Sequence, residues 1–131
     1  MYTAIILAAG EADRMGKLKQ LLPWKDKTIL ETVIDNVLAS EYIDDEIRVV
    51  LGAEAERVKE KIDYYKDERL RIKENPDYKE GMSSSLQTGI KYLSENTKNL
   101  IIIELTIILL ILKQRNMHML KNYLETVAFK S

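Results

Sequence analysis

The sequence predicts an α/β fold with three layers, in which a mostly parallel sheet lies between helices. Short apolar runs alternate with amphipathic stretches in the order strand, helix, strand, helix, strand, helix, strand, which is typical of parallel sheets. The chain has 131 residues, of which 46 % are hydrophobic and 31 % are charged. This length and composition are those of one globular domain. We therefore expect a single domain over residues 1–131.

Charge and cysteine content exclude several classes of function. Twenty basic and 21 acidic residues give a formal net charge of −1, which argues against a protein that binds nucleic acid through bulk charge. The chain has no cysteine, and this excludes disulfides and thiolate zinc sites. The first apolar run is too short for a signal peptide, and the longest one, 100–112, is shorter than the about 20 residues of a membrane span. We expect a cytoplasmic protein.

The first three elements are a buried strand, a helix and a second strand. The apolar run from Tyr2 to Ala8 ends in small residues, which predicts a buried strand. Thr28 and Glu31 have the spacing of a capping box and precede an apolar stripe, so a helix is expected to begin there. The apolar residues 47–51 predict the second strand.

The alternation continues through one more helix and two more strands. Apolar residues at Ala55, Val58 and Ile62 indicate a helix with a charged outer face. Leu70 and Ile72, flanked by basic residues, predict a short strand at the edge of the sheet. The apolar residues 100–103 predict the fourth strand.

A third helix is predicted between the last two strands. Ser84 and Gln87 have the spacing of a second capping box, which would open this helix. Its buried face is expected to consist of Leu86, Ile90 and Leu93, because these residues follow helical spacing.

The composition changes near the carboxyl end of the chain. Charged residues become sparse after residue 98, and neither glycine nor proline occurs after Gly89. An α/β chain normally needs turn residues between its strands and helices. Residues 104–131 are therefore expected to form an atypical tail.

The loop after the first strand carries a possible anion site. Small residues at the carboxyl end of the first strand would allow a ligand to approach the backbone, and glycines at Gly10 and Gly16 would let N–H groups turn towards an anion. Arg14 and Lys19 would add positive charge. A glycine-containing surface loop with solvated charges is the alternative interpretation, since neither the GxGxxG nor the GxxxxGK[ST] fingerprint is present.

Two longer motifs carry a resemblance to a known family. Residues 7–23 read LAAG-x-x-x-RMG-x-x-K-x-LLP, and residues 75–86 read NPDYKEGMSSSL. Together they resemble the nucleotidyltransferases of molybdenum cofactor biosynthesis, which include cytidylyltransferase and guanylyltransferase branches. The resemblance spans residues 2 to about 103. It implies a Rossmann-like nucleotidyltransferase fold, truncated at its carboxyl end relative to the family.

The resemblance also implies an activity. A nucleoside monophosphate would pass from an NTP to the phosphate of molybdopterin, and pyrophosphate would be released with the help of Mg²⁺. The Ala-Ala-Gly form of the first motif favours CTP over GTP. Two alternatives stay open: a transferase acting on a sugar or alcohol phosphate, and a non-catalytic remnant that binds nucleotide or forms a homo-oligomer through its apolar tail.

The family's site residues can be placed on this sequence through its motifs. Arg14 and Lys19 would hold the triphosphate and act in catalysis. For the serines of the second motif, helix capping is an equally good interpretation, and Asn75 is slightly better explained by closing a turn. The resemblance implies nucleotide contacts by Leu7, Ala8, Ala9, Gly10, Arg14, Gly16, Lys19, Asn75, Gly81, Ser83, Ser84 and Ser85.

The sequence departs from the family pattern at two positions. Ala12 replaces a small hydroxyl residue, which removes one hydrogen bond to phosphate. The family's fourth strand ends in G-D-x-P, whose Asp holds the metal ion, whereas this chain has Glu104 and no such motif downstream. Glu104 is the candidate Mg²⁺ ligand, although a carboxylate without a ligand is the favoured interpretation. We hypothesise that residues from about 104 onward are read in a shifted frame or come from a rearranged gene.

Overall fold

The fold is described by a computed structural model, which covers residues 2–12, 16–95, 97 and 99–105. Strands and helices alternate along this part of the chain as the sequence predicts. Two short 3₁₀ turns, Lys19–Leu21 and Tyr78–Glu80, lie in the loops. The elements are β1 (Tyr2–Ala8), β2 (Pro23–Trp24), β3 (Lys27–Thr28), α1 (Ile29–Ala39), β4 (Ile47–Leu51), α2 (Ala55–Ile62), β5 (Leu70–Glu74), α3 (Met82–Ile90) and β6 (Asn99–Glu104).

Four strands form one parallel sheet in the order β5-β4-β1-β6. Ala8 at the end of β1 lies beside Leu51, and Leu7 lies beside Glu104, so the carboxyl ends of β1, β4 and β6 meet at one edge. The short strands β2 and β3 form a separate antiparallel pair. The predicted α/β class and the edge position of β5 are thereby confirmed.

The central strand β1 is buried on both faces because its side chains alternate between two layers. Ala4, Ile6 and Ala8 pack in the larger core with α1 and α2, whereas Ile5 and Leu7 belong to a smaller core on the α3 side. This arrangement explains why the strand reads as a continuous apolar run rather than an alternating one.

The start of α1 confirms the first predicted capping box. The backbone N–H of Glu31 donates to Thr28 Oγ1 at 3.1 Å, and the Glu31 carboxylate accepts from the Thr28 N–H at 3.1 Å. Each side chain thus satisfies an N–H group that would otherwise lack a partner at the helix end.

The predictions for α3 were wrong at its start and on its buried face. The helix begins at Met82, and the Ser84 hydroxyl lies 3.0 Å from the carbonyl oxygen of Asp77 instead of capping the N–H of Gln87. Ser84 lies inside the helix and does not cap it. Its buried residues are Ser85 and Gly89, while Leu86 is half-buried, Ile90 is exposed and Leu93 lies beyond the helix. Small residues face the sheet because α3 packs closely on β1 and β4.

Several sequence-based predictions lie outside the described residues. These are the position of Arg14 and the structure of the tail beyond Leu105. The single-domain prediction and the frameshift hypothesis stay predictions. Among the described residues, no helix has the length and apolar character that crossing a membrane requires.

An ion pair between Asp67 and Arg69 lies in the loop before β5, and Arg69 links this loop to α1 and to the segment after it. Asp67 accepts from the Nη2 of Arg69 at 2.8 Å, and Arg69 also donates to the backbone carbonyls of Leu38 and Ile43. The side-chain hydrogen bond from Arg69, followed by the backbone one, lowers the pKa of Asp67 from 3.8 to about 2. The ionised carboxylate therefore stabilises the fold above its ordinary pKa, and this contribution is lost as the pH falls towards 2.

We expect Asp67→Asn to make unfolding less sensitive to acid. The stability of the unsubstituted protein should fall more steeply between about pH 4 and pH 2 than that of the variant, because the variant lacks the Asp67 carboxylate, whose pKa is depressed. Urea unfolding at several pH values measures this, with Asp63→Asn as the matched control at an exposed carboxylate. Equal slopes for the unsubstituted protein and Asp67→Asn would contradict the assignment.

Candidate functional site

A cavity of about 310 Å³ opens at the carboxyl edge of the sheet. Its walls come from the loop after β1, the turn Lys19–Leu21, the start of α3 and the end of β6. In open α/β sheets, ligands bind at this edge. The lining residues are Leu7, Ala9, Gly10, Glu11, Lys19, Tyr78, Lys79, Gly81, Met82, Ser85 and Glu104.

The loop after β1 is fixed by hydrogen bonds to its carbonyl groups. The Gln20 side chain is 2 % exposed, and its Nε2 donates to the carbonyl of Ala8 at 3.0 Å and to that of Gly10 at 3.2 Å. The N–H of Ala53 donates to the carbonyl of Ala9 at 3.2 Å. Three consecutive carbonyls therefore have partners, and the loop leaves the sheet in a defined conformation.

Asn75 organises the opposite wall of the cavity. Its side chain is 3 % exposed and accepts from the N–H of Asp77 at 3.0 Å. Its Nδ2 donates to the hydroxyl oxygens of Ser84 at 2.9 Å and Ser85 at 3.0 Å. Asn75 thus closes the turn, which is the interpretation that the sequence favoured. A nucleotide base would have to compete with both serines for its amide protons.

Gly81 brings the amino end of α3 to the cavity. Its φ of +108° and ψ of −179° lie in a region that other residues rarely adopt. A Cβ at this position would meet nothing within 4 Å, so the backbone conformation rather than space requires glycine. The first turn of α3 contains no acidic residue. Free N–H groups at such a helix end attract anions.

Charges of both signs line the cavity. Lys19 and Lys79 contribute two cations, and Glu11 and Glu104 contribute two carboxylates. Within the described residues, no group of three His, Cys, Asp or Glu side chains could hold a metal ion. Mg²⁺ is usually held by one or two protein carboxylates together with substrate phosphates. The carboxylate of Glu104 fits that limited role.

The structure brings most of the predicted residues to one place. Leu7, Ala9, Gly10, Lys19, Gly81, Ser85 and Glu104 line the cavity. Ala8, Asn75 and Ser84 lie behind the lining and hold it through hydrogen bonds. Gly16 and Ser83 are exposed and are not among the lining residues, and Arg14 lies outside the described part of the chain.

Sequence reasoning missed several residues of the site. Glu11, Tyr78 and Lys79 line the cavity, although all three occur within the two motifs that located it. Gln20 and Ala53 support the loop from behind. The contacts of these two residues join separate segments, so no local pattern could have revealed them.

Comparison with known families tests the interpretation of the two motifs. A model of the MobA-like NTP transferase domain matches residues 4–103. The chain belongs to this family. The matched span contains every cavity-lining residue except Glu104, and the resemblance inferred from the two motifs is confirmed.

A relative of known activity aligns with most of this MobA-like domain. The chain is 36 % identical over 86 residues to the molybdenum cofactor cytidylyltransferase of Escherichia coli strain K12. The match covers 66 % of this chain and 42 % of that enzyme. The chain therefore spans less than half the length of the relative that it matches.

Solved structures with the same fold include two from other microorganisms. A nucleotidyl transferase from Methanothermobacter thermautotrophicus superposes with a TM-score of 0.66 at 25 % identity, over 80 % of this chain and 50 % of that chain. A Mycobacterium tuberculosis H37Rv protein superposes with a TM-score of 0.65 at 24 % identity, over 79 % of this chain and 50 % of the other. These superpositions support the MobA-like fold.

Proposed function

We propose that this chain binds a nucleoside triphosphate in the cavity at the carboxyl edge of the sheet. The observation that carries the proposal is the convergence of four features on one cavity: the glycine-containing loop after β1, Lys19, the amino end of α3 and the Glu104 carboxylate. The loop and the helix end offer N–H groups to anions. Lys19 adds a cation that can approach a phosphate oxygen.

The reaction proposed for the whole protein is transfer of a nucleoside monophosphate to the phosphate of molybdopterin. A phosphate oxygen of the acceptor would attack the α-phosphorus, and the bond from this phosphorus to the bridging oxygen would break and release pyrophosphate. Such transfers depend on positioning and on neutralising charge. Lys19, with Arg14 by resemblance, would hold the triphosphate as negative charge develops on the leaving group.

CTP is the proposed nucleotide. The Ala-Ala-Gly form of the first motif supports it, as does the identity to the Escherichia coli cytidylyltransferase. Molybdopterin is proposed as the acceptor because of the same identity to the Escherichia coli enzyme. A sugar or alcohol phosphate is the competing acceptor. Since the chain spans 42 % of that relative, turnover is proposed for the whole protein.

Mg²⁺ is proposed to accompany the nucleotide. Glu11 and Glu104 would repel a triphosphate in the same cavity, and a divalent cation held by Glu104 would supply charge that offsets this repulsion. When bound, the ion supplies positive charge that stabilises the leaving pyrophosphate. Nucleotide affinity should therefore increase when Mg²⁺ is added.

Replacing Lys19 with alanine tests the proposal directly. The loss of a charge-assisted contact of about 1.5–3 kcal/mol should weaken CTP binding roughly ten- to hundredfold. Titration calorimetry with CTP, GTP and ATP, with and without Mg²⁺, measures the affinities. Lys59→Ala, on the exposed face of α2, is the matched control and should bind as the unsubstituted protein does.

The pattern of nucleotide binding separates a transferase from a non-catalytic remnant. CTP binding that requires Mg²⁺ and is lost in Lys19→Ala supports the transferase. Binding that is independent of Mg²⁺ favours a nucleotide-binding remnant without the metal site. If no nucleotide binds, the proposed function is wrong.

A further inference from the structure

Hydrogen bonds from Gln20 and Ala53 determine which way two N–H groups of the loop after β1 point. A peptide unit is planar, so the N–H of one residue points opposite to the carbonyl of the residue before it. The carbonyl of Gly10 accepts from the Gln20 amide, and the N–H of Glu11 therefore points away from Gln20. The carbonyl of Ala9 likewise accepts from the N–H of Ala53, so the N–H of Gly10 points away from Ala53.

These two N–H groups belong to residues on the cavity wall. Gly10 and Glu11 both line the cavity, whereas Gln20 and Ala53 do not. Among the contacts of the described residues, no protein acceptor is present for the N–H of Gly10 or of Glu11. Backbone N–H groups of a loop that lines a concave site can bind an anion there.

The chemistry of a glutamine side chain suits this task. One amide nitrogen carries two protons and can donate to two carbonyls at once, as Gln20 does with Ala8 and Gly10. Burial excludes water that would compete for these carbonyls. A methionine has a similar length but no donor, so it would leave both carbonyls free to rotate.

We propose that Gln20 is a positioning residue for nucleotide binding. By holding the carbonyl of Gly10, it directs the N–H group of Glu11 towards a phosphate group of the nucleotide, beside the N–H of Gly10, whose peptide is held by Ala53. This inference rests on the proposed function, because it assigns the part of the site that contacts the phosphates. Gln20 itself makes no contact with the ligand.

The test compares Gln20→Met with Thr3→Val in the full chain. Thr3 is fully buried at the opposite end of β1, and its hydroxyl donates to Asp45 Oδ2 at 2.8 Å. Thr3→Val therefore removes a partly buried hydrogen bond from the same strand, at the end of β1 that lies away from the cavity. Calorimetry with CTP and with inorganic triphosphate gives the affinities, and ¹⁵N NMR follows the amides of Gly10 and Glu11 in the same titrations.

The expected result is a loss of affinity for both ligands of about tenfold or more in Gln20→Met. Thr3→Val should bind as the unsubstituted protein does, although both variants lose stability. In the unsubstituted protein, the amide signals of Gly10 and Glu11 should shift when triphosphate is added. This NMR titration tests the orientation of the loop even if Gln20→Met fails to fold.

Two results would overturn the inference and leave the proposed function in place. One is CTP binding without a shift of either amide, and the other is equal affinity in Gln20→Met and Thr3→Val. If the unsubstituted protein binds neither ligand, the inference and the proposed function fail together.

Discussion

Replacing Arg48 with methionine is expected to lower the free energy of unfolding by about 3–5 kcal/mol, because three carbonyl groups lose their donor. The guanidinium is buried in β4, where the residue is 4 % exposed. Its Nη1 donates to the carbonyls of Gly89 at 2.9 Å and Lys91 at 2.6 Å, and its Nη2 donates to that of Tyr92 at 3.3 Å. These carbonyls lie at and beyond the carboxyl end of α3, where helical partners run out and a positive charge is favourable.

The size of the effect follows from what the substitution leaves behind. Methionine fills much of the volume but offers no donor, so carbonyls at the end of α3 lose their partners at a cost of about 1–3 kcal/mol each when buried. Glu46, whose Oε1 lies 2.9 Å from Arg48 Nε, also loses its ion pair. The connection between α3 and β4 should therefore weaken.

Arg71→Met is the matched control for this prediction. Arg71 lies beside Arg48 in the register of β4 and β5, yet it is exposed. Its replacement should change stability by no more than about 0.5 kcal/mol. Urea unfolding followed by circular dichroism measures both variants. Similar losses for the two would show that the carbonyl contacts of Arg48 do not stabilise the fold.

The parts of the fold that were predicted correctly have local signals in the sequence. The capping box of Thr28 and Glu31 fixes the start of α1 through two residues in the same turn. The apolar run of β1 reflects its burial between two layers. For α3 the local signal was misleading, because Ser84 and Ser85 bond to Asn75 and leave the apolar Ile90 exposed. The start and the buried face of α3 depend on contacts between separate segments, which the helical spacing of apolar residues does not reveal.

For the candidate site, too, the sequence predicted the residues that have local signals and missed those that depend on contacts between segments. The two motifs located the cavity, because glycines, cations and serines stand at strand and helix ends where ligands bind. They did not reveal Gln20, which is an unremarkable polar residue until its partners Ala8 and Gly10 are known. Formation of a homo-oligomer through the apolar tail stays a prediction, because the residues of the tail beyond Leu105 lie outside the described part of the chain.

Replacing Gly52 with alanine is expected to affect stability and the cavity together. A Cβ at this position would lie 2.5 Å from the Cβ of Tyr78, 2.8 Å from the Cβ of Ala9 and 2.9 Å from the Ala9 carbonyl oxygen. None of these atoms can move away by a change of rotamer, because all are attached directly to the backbone. Overpacking of this kind costs about 1–3 kcal/mol, and we expect the upper end of that range.

The displaced residues are themselves part of the cavity wall. Ala9 carries the loop after β1, and Tyr78 opens the turn that leads to α3. Pushing them apart should weaken CTP binding by about tenfold or more, since small misplacements at a binding site are costly. Urea unfolding and calorimetry on Gly52→Ala measure the two effects. Gly10→Ala is the stability control, because an added Cβ there meets nothing within 4 Å. A Gly52→Ala protein with unchanged stability would show that the backbones at Gly52, Ala9 and Tyr78 separate easily. The cavity wall would then be deformable, and nucleotide binding would not depend on its rigidity.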